Sequence, residues 1–236
     1  MCGRSSVSKK EADLEKRFNA RFYSADLDRY NPLPIYNVCP TTFVPVITNI
    51  DSKHIKYLHW GFDLESWDGI LHKNTINARI ENIQKISLFN ECLSMRRCII
   101  PATSYFEWKT LNKGKTKIPY LIKLKSLEIF SIAGLWVNQM NSNGEMTEKF
   151  VLITQPPTPK LSYIHDRMPA LLTPENELKW LNTELNTKEA IQLINKFNDN
   201  EIIYHPVSNE LNRSFENKAE FIREKKYEIE EQGNLF

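Results

Sequence analysis

Apolar residues follow a two-residue period, or form short continuous runs, through most of this chain of 236 residues. Such runs, rich in β-branched and aromatic side chains and bounded by turn residues, are typical of β-strands. They predict strands at residues 43–50, 55–62, 98–101, 104–109, 119–124, 129–137, 150–154 and 201–207. The middle of the chain is therefore predicted to be mainly β-sheet.

Helix signals are fewer. A capping-box pattern, or Pro in a first turn, predicts helix starts at Ser8 with Glu11, at Thr173 with Pro174, and at Asn186 with Glu189. The second of these helices is expected to turn Leu178 and Leu181 inward. Short strands interleaved with few helices, without an internal repeat or linker, predict a single α+β domain built on antiparallel or mixed sheet.

Composition limits the classes of function. The chain has 31 basic and 29 acidic residues, so any affinity for nucleic acid has to come from a local patch. Its four cysteines show neither CxxC spacing nor a disulfide framework, and without a signal peptide they predict the reducing cytoplasm. No apolar run approaches the ~20 residues that span a bilayer, so no membrane association is expected. Histidines and cysteines lack zinc-ligand spacing, and Walker, GxGxxG and GxSxG motifs are missing, so neither a metal nor a cofactor is predicted.

The N-terminus carries a group of unusual reactivity. Cys2 directly follows Met1, and removal of Met1 would expose an α-amine and a thiol on one residue. The amine, with a pKa near ~8, and the thiol, near ~8.5, are both nucleophilic at neutral pH. Such an aminothiol can capture an aldehyde as an imine and close it to a thiazolidine. On this pattern alone, the alternative that Cys2 is an arbitrary second residue stays open.

Two further residues have the chemistry of a general acid or base. Glu107 stands between bulky aromatic residues, where desolvation would raise the pKa of its carboxyl. His165 belongs to a residue type suited to proton transfer at neutral pH, and Asp166 and Arg167 are charged neighbours. Each has an ordinary alternative, because Glu107 could face outward from a strand and His165 could decorate a surface loop. Arginines that could bind phosphate are Arg4, Arg79, Arg96, Arg97 and Arg167.

Short motifs spread over the chain occur together, in this order, in one known family. They are Met1-Cys-Gly-Arg4, Tyr36-Asn-Val-Cys-Pro-Thr41, Trp60-Gly61 with Trp67, Asn77-Ala-Arg-Ile-Glu81, Arg97-Cys-Ile-Ile-Pro-Ala102, Tyr105-Phe-Glu-Trp108, Ala133-Gly-Leu-Trp136, His165-Asp-Arg-Met-Pro169 and His205-Pro-Val-Ser208. With them the chain resembles the SOS-response-associated peptidase (SRAP) family of abasic-site processing proteins. The resemblance implies one SRAP-type domain over residues 1–212, with a barrel-like β-rich core and flanking helices. A charged, helical C-terminal extension is expected over residues 213–236.

The resemblance also implies a reaction and a partner. Family members bind single-stranded DNA at an abasic site and form a thiazolidine between its ring-opened aldehyde and the N-terminal cysteine. The crosslink shields the lesion in the DNA damage response. Carried onto this chain, Cys2 would be the nucleophile, Asn77 would orient the reacting groups, Glu107 would be the general acid/base, and His165 would assist ring opening and proton transfer. The implied DNA contacts are Gly3, Arg4, Asn37, Pro40, Trp67, Arg79 and Arg167.

Two other functions remain open at this stage. One is a cysteine-type (auto)peptidase or another N-terminal-nucleophile hydrolase, which would also remove Met1. The other is a non-catalytic nucleic-acid reader in which Cys2 plays no part. We expect a monomer in the cytoplasm of a bacterium that joins the nucleoid when bound to DNA.

Overall fold

The structure is a computed structural model that describes residues 2–30, 32–65, 71–111, 116–141, 143–194, 197–213 and 216–227. Its strands are β1 (Ser5–Val7), β2 (Arg21–Phe22), β3 (Ile35–Val38), β4 (Phe43–Thr48), β5 (His54–Trp60), β6 (Phe62–Glu65), β7 (Leu71–Thr75), β8 (Asn77–Arg79), β9 (Arg97–Ala102), β10 (Ser104–Leu111), β11 (Thr116–Leu124), β12 (Phe130–Met140), β13 (Met146–Gln155), β14 (Met168–Pro169), β15 (Leu171–Leu172) and β16 (Ile202–Pro206). Its α-helices are α1 (Glu11–Phe18), α2 (Ser24–Arg29), α3 (Ser87–Met95), α4 (Pro159–Ser162), α5 (Pro174–Leu181) and α6 (Thr187–Gln192). None of the helices in these ranges is long and apolar enough to cross a membrane.

Five of the described strands close into a barrel, which confirms the predicted α+β fold with a barrel-like core. β12 pairs with β9 and β13, and β4 pairs with β9 and β5, all antiparallel. A parallel pairing of β5 with β13, in which Phe150 lies opposite Trp60, completes the ring. Neighbours approach Gly134 closely, since a Cβ there would lie 2.3 Å from Ile100 Cδ1 and 2.8 Å from the Val151 carbonyl oxygen. The barrel wall therefore admits only glycine at this position.

A second sheet stands beside the barrel and includes the N-terminal strand. Within the described residues its order is β16–β11–β10–β1–β3, with every pairing antiparallel. The chain passes from β9 to β10 at Thr103, whose N–H donates to the Ser6 carbonyl at 2.8 Å. Because side chains alternate along a strand, Tyr105 joins the barrel's core while Phe106 packs on the opposite face with Leu121. β10 thus has one core on each side.

The C-terminal extension covers the outer face of this second sheet. Phe221 is fully buried in the cluster that contains Phe106, and the Lys225 N–H donates to the Pro206 carbonyl at 2.9 Å. Residues 216–227 include a 3₁₀ helix, Ala219–Ile222, and no α-helix, where the charged sequence predicted helix. The difference arises because part of the segment's backbone bonds to β16 instead of to itself.

The helices begin close to the predicted signals, with local differences. α6 follows Asn186, whose side chain accepts the N–H groups of the first turn as expected for an N-cap. α5 begins at Pro174, but it buries Glu177, Trp180 and Leu181 and leaves Leu178 72% exposed. α1 begins at Glu11, whereas the Ser8 hydroxyl pairs with Thr103 Oγ1 at 2.9 Å instead of capping the helix.

Arg97 is a structural residue and not a surface cation. Its side chain is fully buried, where its guanidinium donates to the carbonyls of Trp180 at 2.5 Å, Leu93 at 2.6 Å, and Asn182. These carbonyls belong to the C-terminal ends of α3 and α5, which no intrahelical donor reaches. The phosphate-binding alternative for Arg97 is therefore wrong.

Candidate active site

The N-terminal segment is held against β10. Cys2 is 1% exposed, and β1 pairs with β10 so that Ser5 lies opposite Tyr105. The Phe106 N–H donates to the Arg4 carbonyl at 3.0 Å, which extends the pairing one residue beyond the strand. The segment before Ser5 therefore lies alongside the part of β10 that carries Glu107. Met1 is outside the described residues.

The thiol of Cys2 lies within hydrogen-bonding reach of the carboxyl of Glu107. Burial, followed by the charge and the hydrogen bond of Glu107, raises the pKa of the Cys2 thiol well above its usual value. Burial also raises the pKa of Glu107, which is 2% exposed, although the hydrogen bond from Cys2 and the charge of His165 act in the opposite direction. The thiol is thus the donor in this pair, and Glu107 is the group that can receive its proton.

His165 stands on the other side of Glu107. Its Nε2 atom lies 3.6 Å from Glu107 Oε2, and its side chain is 23% exposed. The Arg167 N–H donates to Nδ1 at 3.0 Å, so in the neutral ring the proton resides on Nε2, the nitrogen that faces Glu107. The Asp166 carboxylate lies 3.1 Å from Nδ1 and is 86% exposed. His165 is therefore placed to exchange protons between Glu107 and solvent.

Asn77 contacts the backbone of the cysteine itself. It is the first residue of β8, which pairs in parallel with β13 and so enters the same region as β14. Its Nδ2 atom donates to the Cys2 carbonyl at 3.0 Å. Its Oδ1 atom is buried and has no hydrogen-bond partner within the described residues. The side chain thus fixes Cys2 with one atom and offers an acceptor with the other.

The two arginines near this cluster differ in their surroundings. The Arg167 guanidinium pairs with both Glu81 oxygens, at 2.5 and 3.1 Å, and donates to the Thr154 carbonyl at 2.7 Å. Arg167 is 9% exposed, so little of it faces solvent. Arg79 is exposed, and within the described residues its guanidinium makes no hydrogen bond or ion pair. Arg79 is available to a phosphate, whereas Arg167 is already held by protein groups.

Arg4 and Asn37 also belong to a bonded network. The Arg4 Nη1 atom donates to Asn37 Oδ1 at 2.8 Å and lies 2.6 Å from Cys39 Sγ. Asn37 is 5% exposed, so a direct DNA contact would require its side chain to leave these bonds. Gly3 and Pro40 are half-buried, and their predicted DNA contacts stay predictions. Trp67 lies outside the described residues.

Three residues join the site without having been singled out for a role in the sequence. Glu81 and Thr154 hold Arg167. Tyr105 lies on the same face of β10 as Glu107, and the charges of Cys2 and Glu107 act on its phenol. The alternation in Tyr105-Phe-Glu107 was the signal that could have found it. Within the described residues, no group of three or more acidic, histidine or cysteine side chains could hold a metal ion.

Comparison with known proteins finds one family. The family model described as SOS response associated peptidase (SRAP) matches residues 1–214. Abasic site processing protein YoqW of Bacillus subtilis is 34% identical over 226 residues, covering 94% of this chain and 99% of that protein. Abasic site processing protein YedK of Escherichia coli is 29% identical over 231 residues, covering 94% of this chain and 99% of that protein. A crystal structure of a Bacteroides thetaiotaomicron protein has a TM-score of 0.83 at 28% identity and covers 95% of this chain and 100% of its own. The likeness therefore includes the barrel and the second sheet together.

Proposed function

The chain belongs to the SOS response associated peptidase (SRAP) family, and we propose that it captures abasic sites in single-stranded DNA through a covalent bond to Cys2. The observation that carries the proposal is the row of the buried Cys2 thiol, the Glu107 carboxyl within hydrogen-bonding reach of it, and the His165 ring 3.6 Å beyond. An aldehyde bound beside these three residues would contact a nucleophile and two groups that can transfer protons. The names of the relatives indicate its source, the ring-opened sugar of an abasic site.

The first step uses the α-amine of Cys2, after Met1 has been removed. The amine nitrogen attacks the aldehyde carbon, a C–N bond forms, and the carbonyl oxygen becomes the hydroxyl of a carbinolamine. That hydroxyl leaves as water with a proton from Glu107, and an imine remains. Asn77 suits this step because Nδ2 holds the Cys2 carbonyl while the unpartnered Oδ1 can accept an amine N–H.

The second step uses the thiol of Cys2. Sγ attacks the imine carbon, a C–S bond forms, and the thiol proton passes through Glu107 to the imine nitrogen. Amine, thiol and aldehyde thus give a thiazolidine and one water. Since burial and Glu107 raise the pKa of the thiol, it stays protonated until Glu107 removes its proton during the attack. His165, with Nε2 facing Glu107, assists sugar-ring opening and returns Glu107 to the required protonation state.

The DNA strand would be held by charge around this row. Arg79 is exposed and suits a flanking phosphate, and Arg4 lies half-buried within the N-terminal segment. Residues 37–40, at the end of β3 and just after it, would act as a wedge that favours a strand end or junction over continuous duplex, and Trp67 would lie near the DNA. In this proposal the protein acts as a monomer in the bacterial cytoplasm and joins the nucleoid when it meets a lesion.

Removal of Met1 by the chain itself would use the same groups. The Cys2 thiol would attack the Met1 carbonyl with Glu107 as base, and the Met1–Cys2 C–N bond would break to give a thioester and the free amine. Water would then hydrolyse the thioester, releasing Met1 and restoring the thiol. Proteolysis of other proteins is less well supported. Cysteine peptidases lower the pKa of their thiol, whereas burial here raises the pKa of Cys2.

The test is crosslinking of the purified protein, with Met1 removed, to a single-stranded oligonucleotide that contains one abasic site. We expect an adduct that survives heating in detergent, with the mass of protein plus oligonucleotide minus one water. Cys2→Ala should form none, whereas Cys92→Ala, which alters another fully buried cysteine, should match the wild type. Absence of a wild-type adduct, or equal adduct with Cys2→Ala, would refute the proposal. Intact mass gives a separate check, because retained Met1 leaves no free aminothiol.

A further inference from the structure

Tyr105 is a buried tyrosine on the reactive face of β10. It lies two residues before Glu107, so the two side chains leave the same face of the strand from Cα atoms about 7 Å apart. The residue is 3% exposed, and its ring belongs to the same core cluster as Cys2. Its hydroxyl is buried and makes no hydrogen bond within the described residues.

A buried hydroxyl without a hydrogen-bond acceptor destabilises the folded protein, unless a bound molecule supplies the acceptor. Phenylalanine would fill the same space without that penalty. Buried polar atoms without partners are few in native proteins, and each calls for a reason such as a catalytic role or a bound molecule. The hydroxyl of Tyr105 therefore points to a missing acceptor.

A second buried atom without a hydrogen-bond partner lies on a side chain that contacts Cys2, and this atom is an acceptor that needs a donor. Asn77 Oδ1 is buried without a partner and needs a donor, while Asn77 Nδ2 is bonded to the Cys2 carbonyl at 3.0 Å. Tyr105 O–H, as a donor, needs an acceptor. A freed Cys2 amine with an aldehyde beside it supplies both, because the amine has N–H groups and the aldehyde has an oxygen.

We propose that the Tyr105 hydroxyl donates a hydrogen bond to the aldehyde oxygen of the substrate, which makes Tyr105 a catalytic residue for capture by Cys2. The inference rests on the proposed function. As the amine nitrogen forms its bond to carbon, the carbonyl electron pair moves onto oxygen, and the Tyr105 O–H stabilises that growing negative charge. The oxygen then takes one proton from the amine nitrogen and a second from Glu107 and leaves as water, while Tyr105 keeps its own proton.

The environment of the phenol agrees with a donor that does not ionise. Burial, and then the negative charges of Cys2 and Glu107, raise the pKa of Tyr105 well above its usual value. The group remains a neutral O–H at every pH at which the protein would act. Glu107 and His165 supply the protons that move, and Tyr105 supplies a fixed dipole.

The experiment compares Tyr105→Phe, which removes one hydroxyl and keeps the ring, with the wild type and with Tyr57→Phe. Tyr57 is a matched control because it is 5% exposed and lies in an aromatic stack with Tyr30, whose ring centroid is 5.1 Å away. The first readout is the single-turnover rate constant of adduct formation on the abasic oligonucleotide. The second is the Kd for an oligonucleotide with a tetrahydrofuran abasic analogue, which has no aldehyde oxygen. The third is the free energy of unfolding in urea.

For Tyr105→Phe we expect the rate constant to fall about 10–100-fold, with an unchanged Kd for the analogue and an equal or higher free energy of unfolding. The ratio of wild-type to variant rate constants should stay constant from mildly acidic to mildly alkaline pH. An unchanged rate constant would overturn the inference and leave the proposed function standing, whereas absence of adduct from the wild type would overturn the proposed function itself. A rate ratio that varies with pH would also overturn the inference, since it would show that the phenol transfers a proton.

Discussion

Arg4 Nη1 donates to Asn37 Oδ1 at 2.8 Å, and this bond connects the reactive N-terminal segment to the C-terminal part of the chain. Asn37 Nδ2 in turn lies within 3.1–3.3 Å of three carbonyls there, those of Leu211, Arg213 and Glu216. The same amide thus holds both ends of the domain. We infer that Asn37 affects DNA binding indirectly, by orienting Arg4.

Asn37→Ala should lower the free energy of unfolding by about 2–3 kcal/mol, because it leaves buried carbonyls without their donor. Binding to single-stranded DNA should weaken as well, since Arg4 loses the acceptor that orients it. Urea denaturation and fluorescence anisotropy measure the two effects. Asn217→Ala is the control: its side chain also joins the extension to Pro34 and to Tyr36 of β3, but it is exposed, and water can replace its bonds at a cost below about 1 kcal/mol. Weaker DNA binding at unchanged stability would instead indicate a direct contact of Asn37 with DNA.

The stability of the protein should depend on pH through Glu107. Burial raises the folded-state pKa of this carboxyl above its ordinary value of 4.5, so the fold favours the protonated form. The free energy of unfolding should therefore be greatest below about pH 4.5 as far as Glu107 is concerned, and fall as the pH rises through the raised pKa. Glu107→Gln does not titrate, so its stability relative to the wild type should increase with pH over this window.

For Glu81→Gln, the free energy of unfolding relative to the wild type should instead decrease as the pH rises. The hydrogen bond from Arg167 lowers the pKa of Glu81, so its carboxylate stabilises the fold above about pH 4.5 and that contribution is lost as the pH falls through the lowered pKa. Urea denaturation of the three proteins from about pH 3 to pH 8 tests both signs, because this range extends to either side of the ordinary carboxyl pKa of 4.5. The same pH dependence of stability for the two variants would contradict the raised pKa of Glu107.

Arg97→Met should be strongly destabilising, by about 3 kcal/mol or more, because the carbonyls of Leu93 and Trp180 would lose their buried donor and that of Asn182 would keep only the Leu185 N–H at 3.4 Å. The neighbouring Arg96→Met is the control. Arg96 pairs with Glu91 at 2.5 Å, but the two side chains are 30% and 54% exposed, and such pairs contribute at most about 1 kcal/mol. Equal losses for the two variants would show that the buried carbonyls are satisfied in another way.

Substitutions of Arg79 and Arg167 should differ in their effect on the salt dependence of DNA binding. For Arg79→Gln we expect the slope of log K against log salt concentration to decrease by about 0.7, the value for one phosphate contact on single-stranded DNA, with little change in stability. For Arg167→Gln we expect an unchanged slope and a loss of about 2 kcal/mol, because the half-exposed Glu81 loses its bidentate partner. A reduced slope for Arg167→Gln would restore the phosphate contact that the family resemblance implied.

Much of the fold and of the candidate site could be predicted from the sequence alone. Alternation placed Glu107 on a strand between aromatic residues, and the position of Cys2 after Met1 identified the aminothiol without any structural information. The ordered motifs predicted one α+β domain with a barrel-like core, which the structure and the family match confirm. These features depend on local spacing and on covalent chemistry, both of which are properties of the sequence itself.

Other features were decided only when distant segments came together. The parallel pairing of β5 with β13 closes the barrel, and local spacing does not encode which strand meets which. Arg79 and Arg167 look alike in the sequence, yet one is exposed and the other is bound by Glu81 and Thr154. Asn37 became a buried connector, and Tyr105 became a neighbour of Cys2. The physical reason is that burial and hydrogen-bond partners set the chemistry of a polar side chain, and both are supplied by residues far away along the chain.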